Sequence, residues 1–150
     1  MRLAAILGLI CLVTASATAA GNDDTLRFYL AKSDAAVFGE ITSSPLAYST
    51  QFGVVNHAFD FQVMEVLKGE LVAGSTIQTT VTHAEINDEE RLSLSSGLRC
   101  ILFLKRARPG EKPAWQTADP WFGFQRANST LRTSLKRLGS HSTPNTQITR

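Results

Sequence analysis

Residues 59 to 70, Phe-Asp-Phe-Gln-Val-Met-Glu-Val-Leu-Lys-Gly-Glu, constrain this chain more than any other stretch. Phe59, Phe61 and Val63 alternate with Asp60, Gln62 and Met64, the period of two that puts one set of side chains on a single face of a strand. The alternation loses its phase over Met64-Glu65-Val66-Leu67, which predicts a β-bulge that re-aims the strand. Lys68-Gly69-Glu70 then predicts a turn. A long strand of this kind needs partners on both edges, so the rest of the chain is read for strands that could supply them.

Candidates lie on both sides. Ala35 to Thr42 alternates, with Gly39 as a bulge or a point of close backbone approach. Thr76 to His83 is a half-exposed strand rich in β-branched residues. Leu98 to Leu104 is apolar on both faces and predicts a strand covered on both sides. Leu46 to Asn56 has no clear period and reads as a long connection or a ragged hairpin extension. Trp115 to Thr117 and Trp121 to Arg126 are expected to form a last hairpin around Asp119-Pro120. A short helix is expected from an Asp23-Asp24-Thr25 cap to about Lys32, and a second after Asn128 or Ser129, with Leu131, Leu135 and Leu138 at helical spacing and Gly139 as its C-cap. The fold class predicted is mainly β, a small OB-like barrel of five or six strands with a short helix at each end.

The first residues read as an export signal. Arg2 precedes the apolar run Leu3 to Val13, and Ala17-Thr18-Ala19 or Thr18-Ala19-Ala20 fits a small-x-small cleavage site. The run is too short to span a bilayer, and Leu9-Ile10 before Cys11 does not suit a lipobox. The expected organisation is a signal peptide over 1–20, one domain over 21–139 and a disordered tail over 140–150, with no transmembrane segment left after cleavage. Cleavage leaves Cys100 alone, so no internal disulfide can form and stability must come from burial. Export without disulfides points to a bacterial periplasm or the extracellular space.

Asp34-Ala-Ala-Val-Phe-Gly-Glu-Ile, then Phe59 to Gly69, then Gly97 followed by an Ile-Leu-Phe-Leu strand, resembles a group of bacterial exported proteins. Their small β-barrel is similar to the OB-fold of tissue inhibitors of metalloproteinases and netrin modules. The resemblance covers Asp34 to Lys105 and implies a fold. Those inhibitors act through an amino-terminal cysteine, which a mature start at Ala20 or Gly21 lacks. No functional residue is therefore carried over, and a protease-inhibitor-like module would need another contact loop.

Charge is lopsided. Gly21 to Leu98 holds four basic and eleven acidic residues, and Arg99 to Arg150 holds ten basic and two acidic. Arg106, Arg108 and Arg126 lie near Trp115, Trp121 and Phe122 in sequence, an aromatic and basic mixture that on a barrel can contact glycans or proteins. These six are the expected binding residues. The expected function is a non-enzymatic binding module, without cofactor, whose partner is a protein or an anionic glycan or other envelope component rather than nucleic acid.

The alternative is a metal-dependent protein or enzyme using His57, Asp60 and His83, acceptable ligand types without a diagnostic spacing. Cys100, inside an apolar strand, reads as a small buried hydrophobe rather than a nucleophile. The acidic run Glu85, Asp88, Glu89 and Glu90 lacks calcium-loop spacing. No motif fixes a reaction. Mass spectrometry of the protein recovered from an exporting host should find the amino terminus at Ala20 or Gly21; an intact Met1 in the exported fraction contradicts the signal reading.

Overall fold

A computed structural model of the chain describes residues 16–50, 54–84 and 94–140. Its elements are α1 (Ser16–Lys32), β1 (Ala35–Ile41), β2 (Leu46–Thr50), β3 (Val54–Lys68), β4 (Thr76–Ala84), β5 (Arg99–Arg106), β6 (Trp115–Thr117), β7 (Phe124–Arg126) and α2 (Ser129–Ser140). The expected signal core, the acidic run 85–90 and all of the expected tail 140–150 except Ser140, which ends α2, lie outside the described residues.

The long strand predicted over 59–70 is the middle of β3. It pairs antiparallel with β1 and β2 along one edge and with β4 along the other. β4 continues to β6 in parallel, β6 pairs with β5, and β5 returns to β1 over Ala35↔Leu104 to Glu40↔Arg99. That last pairing closes a five-stranded barrel, β1-β3-β4-β6-β5, with the Greek-key connectivity of an OB-type fold. β2 and β7 are additional strands.

The phase slip in β3 is a pair of bulges. Its register against β1 shifts between Phe38 and Gly39 and again between Ala36 and Val37. The consequence is visible in the cores. Phe59, Phe61 and Val63 point into the barrel beside Val37, Ile41, Val81, Cys100, Leu102 and Leu104. Leu67, the extra residue at the second bulge, joins the outer layer, where Ala36, Phe38, Ile101 and Phe103 lie under Leu26 and Leu30 of α1 and Leu135 and Leu138 of α2. β5 is thus buried on both faces, as its composition predicts.

Two glycines permit this packing by what they lack. A Cβ on Gly39 would overlap the Gln62 carbonyl oxygen and lie 2.7 Å from the Phe61 ring. Gly139, expected to end α2, instead lies within it, where a Cβ would overlap the Leu67 carbonyl oxygen. The glycine serves the contact between α2 and β3 rather than a cap. At the turn after β3, Gly69 takes a positive φ of 94° against the backbone of Asp34.

Polar contacts lock the helices to the barrel. Lys68 Nζ donates to the carbonyls of Leu30 and Ser33, capping the end of α1 with a cation. Glu65 accepts from Arg132 and Lys136 of α2, 2.8 Å each, and the Arg132 guanidinium lies 3.8 Å from the centre of the Phe38 ring. Arg137 joins α2 to Asp23 of α1 at 2.6 Å. The Asn128 side chain accepts from Leu131 N–H, the cap expected for α2.

Three expectations are corrected. Among the described residues helix α1 already runs from Ser16, so Asp23 to Thr25 lie inside it rather than capping it; alanines 17, 19 and 20 are strong helix formers. Leu46 to Thr50 is not a long connection but a strand paired with Val54 to Ala58, which agrees with the hairpin-extension reading of that stretch. β6 and β7 do not form a hairpin: both pair with β5, β6 at Leu104–Arg106 and β7 at Cys100–Leu102.

Hydrogen bonds from Lys136 and Arg132 hold the Glu65 carboxyl below its ordinary value. A carboxyl with a lowered folded pKa stabilises above its unfolded pKa, and that contribution is lost as pH falls through the folded value. The Tm difference between wild type and Glu65→Gln should therefore be present at pH 7 and vanish on acidification below pH ~4.5; a pH-independent difference would contradict the pairing. Gly39→Ala should destabilise by about 1–3 kcal/mol in denaturant titration, because the overlap is with backbone that no rotamer change relieves.

Candidate functional site

The structure separates the six residues expected to bind. Phe122 is buried, stacked on Tyr29 at 4.4 Å between ring centroids, and belongs to the layer under α1. It is a packing residue and is removed from the candidate site. Trp121 is 68% exposed, in the turn before β7. Arg126 pairs with Cys100 and Arg106 with Trp115 at opposite ends of β5, about 20 Å apart along the strand. The basic residues therefore do not make one patch. The structure does bring Arg106 and Trp115 together: the guanidinium lies 5.1 Å from the indole centre.

The histidines and Asp60 do not converge either. His57 faces Val81 and His83 faces Val55, diagonal register positions of one parity. Asp60 faces Gln78 with the opposite parity, so strand alternation sends it to the other face of the sheet from His57. Among the described residues, no group of three His, Cys, Asp or Glu could hold a metal ion. Cys100 is wholly buried, and desolvation pushes its thiol up to about 12.

A groove of about 460 Å³ lies where Asp60 and Gln78 meet on the outer face of β3 and β4. The connection after β1 forms one wall. Thr42 donates through N–H and Oγ1 to the Asp60 carbonyl, at 2.9 and 3.2 Å, and Ser43 Oγ accepts from Asp60 N–H at 2.8 Å. Those bonds fix Ser43 and Ser44 beside the strand. Leu46, 73% exposed, and Ala58 extend that wall. Lys112 and Pro113 of the β5–β6 connection form the other. Their loop is held by Ala107 N–H to the Ala114 carbonyl at 2.9 Å, and by Glu111, which accepts from Arg108 N–H at 3.2 Å.

Thr79 lines this groove at 1% exposure, and its Oγ1 has no hydrogen-bond partner; neither has Oγ1 of neighbouring Thr80. Buried hydroxyls without partners are uncommon and call for an account. One carboxylate, Asp60, and one ammonium, Lys112, are the charges lining the groove. Hydroxyls, the Gln78 amide and the apolar Leu46 and Pro113 supply the rest. Phe59 lines it too, but its side chain is buried in the barrel core, so the groove offers hydrogen bonds more than aromatic stacking.

Sequence reasoning missed this groove because its residues come from four separate segments and none carries a motif. The two turn-rich stretches, Thr42 to Pro45 and Pro109 to Pro113, were the available signal, since OB-type barrels bind with the face of their second and third strands and the loops beside it. A second cleft, about 420 Å³, is lined by Asp34, Gly69, Glu70, Arg106 and Trp115. No protein-family model matches the chain, and no curated protein is significantly similar to it. No described helix is long and apolar enough to cross a membrane.

Replacing a buried hydroxyl that has no internal partner removes a desolvation cost without breaking a bond. Thr79→Val should leave the free protein's stability unchanged or raise it by up to about 1 kcal/mol. A loss above that amount in denaturant titration would mean that Thr79 Oγ1 is bonded within the fold.

Proposed function

We propose that this chain is an exported, non-enzymatic binding module that holds an extended peptide segment of a protein partner in the groove over Asp60 and Gln78. The observation that carries the reading is the position of that groove: on an OB-type barrel, between the loops that follow the first and fourth barrel strands, over the face of the second and third. Its chemistry suits a peptide. Gln78 and the serines can exchange hydrogen bonds with main-chain amides, and Leu46 and Pro113 can cover apolar side chains. A groove with one charge of each sign does not favour a polyanion. The separation of Arg126 from Arg106 by the length of β5 removes the motive for an anionic glycan.

Export is part of the proposal and rests on Arg2, the apolar run to Val13 and the small residues at 17–20. The residues that dock α1, Asp23, Leu26, Tyr29 and Leu30, all follow the expected cleavage point, so cleavage leaves those contacts in place. Kinship with the netrin-type barrels is likewise proposed, supported by the Greek-key order of the five strands.

The test is affinity capture from envelope and culture fluid, with immobilised wild type, the double variant Asp60→Asn/Gln78→Arg, and Lys105→Ala as a surface control. Wild type and the control should retain one protein through ~1 M salt, where the Debye length is about 3 Å, and the groove variant should lose it. Retention by all three, or capture of polyanions alone that elute early, would overturn the reading.

A further inference from the structure

The cleft at the other end of β3 is a second site, and its charges are arranged in an unusual way. Arg106 and Trp115 are a cross-strand pair on β5 and β6, and the guanidinium rests over the indole. Asp34, just before β1, and Glu70, just after β3, line the same cleft. Asp34 is fixed: its N–H donates to the Leu104 carbonyl at 2.8 Å, and its Oδ2 accepts from Arg106 N–H at 2.9 Å. Gly69 keeps the corner narrow, since a Cβ there would fall 2.6 Å from the Asp34 carbonyl oxygen.

Opposite charges lining one cleft would ordinarily pair. Here neither carboxylate is ion-paired with the Arg106 guanidinium, which is held by stacking on Trp115. Glu70 has no ion pair or side-chain hydrogen bond among the described residues. A ligand that carries both charges can bridge what the protein leaves apart. With carboxylates and a guanidinium at one mouth, the cleft favours a ligand that carries groups of both signs.

We infer that this cleft binds a basic amino acid with a free α-carboxylate, either alone or as the last residue of a peptide. The α-carboxylate takes the planar guanidinium of Arg106 in a two-pronged contact. The side-chain cation lies against Glu70 and the free oxygen of Asp34, and its aliphatic stem crosses Trp115. A volume of about 420 Å³ is of the size that holds such a ligand. The cleft and the groove share no lining residue, so this site stands whether or not the groove binds a peptide.

Calorimetric titration of the full chain with L-lysine, Gly-Gly-Lys and Gly-Gly-Lys carboxamide tests the inference. Saturable binding is expected for lysine or the tripeptide, with the carboxamide weaker by about tenfold or more, as loss of a charge-assisted hydrogen bond requires. Arg106→Gln and Glu70→Gln should each weaken the best ligand by a similar factor while leaving Tm within a few degrees. Lysine binding as tightly as the tripeptide identifies a free amino acid as the ligand; a tripeptide at least tenfold tighter identifies a chain terminus. Absence of saturation by both, equal binding of the carboxamide, or unchanged affinity in both variants would overturn it.

Discussion

Closure of the barrel depends on β1 being hydrogen-bonded along both edges, to β3 and to β5. A strand in that position has no room to relax, and Gly39 sits where β3 presses closest. The bulges in β3 follow from the same constraint. Between them Glu65 points out to α2 while Val66, like Val63 before the first bulge, stays on the barrel side, so one strand serves the interior at one end and the helical layer at the other. The tie from Lys68 to the end of α1 and the stack of Arg132 on Phe38 make the helices part of that arrangement.

The same closure creates the two concave sites. The β1–β2 connection runs alongside β3, because β1 and β2 pair with consecutive stretches of the same edge of that strand, and its hydroxyls bond to the Asp60 backbone between them. The β5–β6 connection must bring β6 back beside β4, and it leaves Lys112 and Pro113 across from Ser43 and Ser44. The hydrogen bonds that tie Thr42 and Ser43 to β3, and those that close the β5–β6 loop, make the groove between them largely preformed. Preformed polar walls lower the ordering cost of a bound segment. At the other end, the ends of β3 and β5 and the start of β1 bring Asp34, Glu70 and Arg106 to one mouth.

Much of the barrel was legible because burial leaves a period in the sequence. The alternation in 59–63, the phase slip after Val63, the two-sided apolar run 98–104 and the leucines at 131, 135 and 138 each follow directly from which side chains lose water. What could not be read depends on pairing at a distance. β6 and β7 resemble the arms of one hairpin until β5 is seen to take both. Phe122 looks like a surface aromatic from its neighbours Trp121 and Arg126, and only the arrival of α1 shows that it packs on Tyr29. The groove was invisible for a related reason: Ser43, Asp60, Gln78 and Lys112 are ordinary polar residues until the topology collects them. Of the expected residues, Arg106 and Trp115 are the pair that strand pairing places opposite each other.

Native-state hydrogen exchange resolved along the chain tests the claim that β1 closes the barrel. The slowest amides of β1 and β5 should exchange only with global unfolding, with the same denaturant dependence as those of β3. If β1 opens at a much lower free energy while β3 and β4 remain protected, the barrel is an open sheet, and the groove and the cleft lose the frame that positions them.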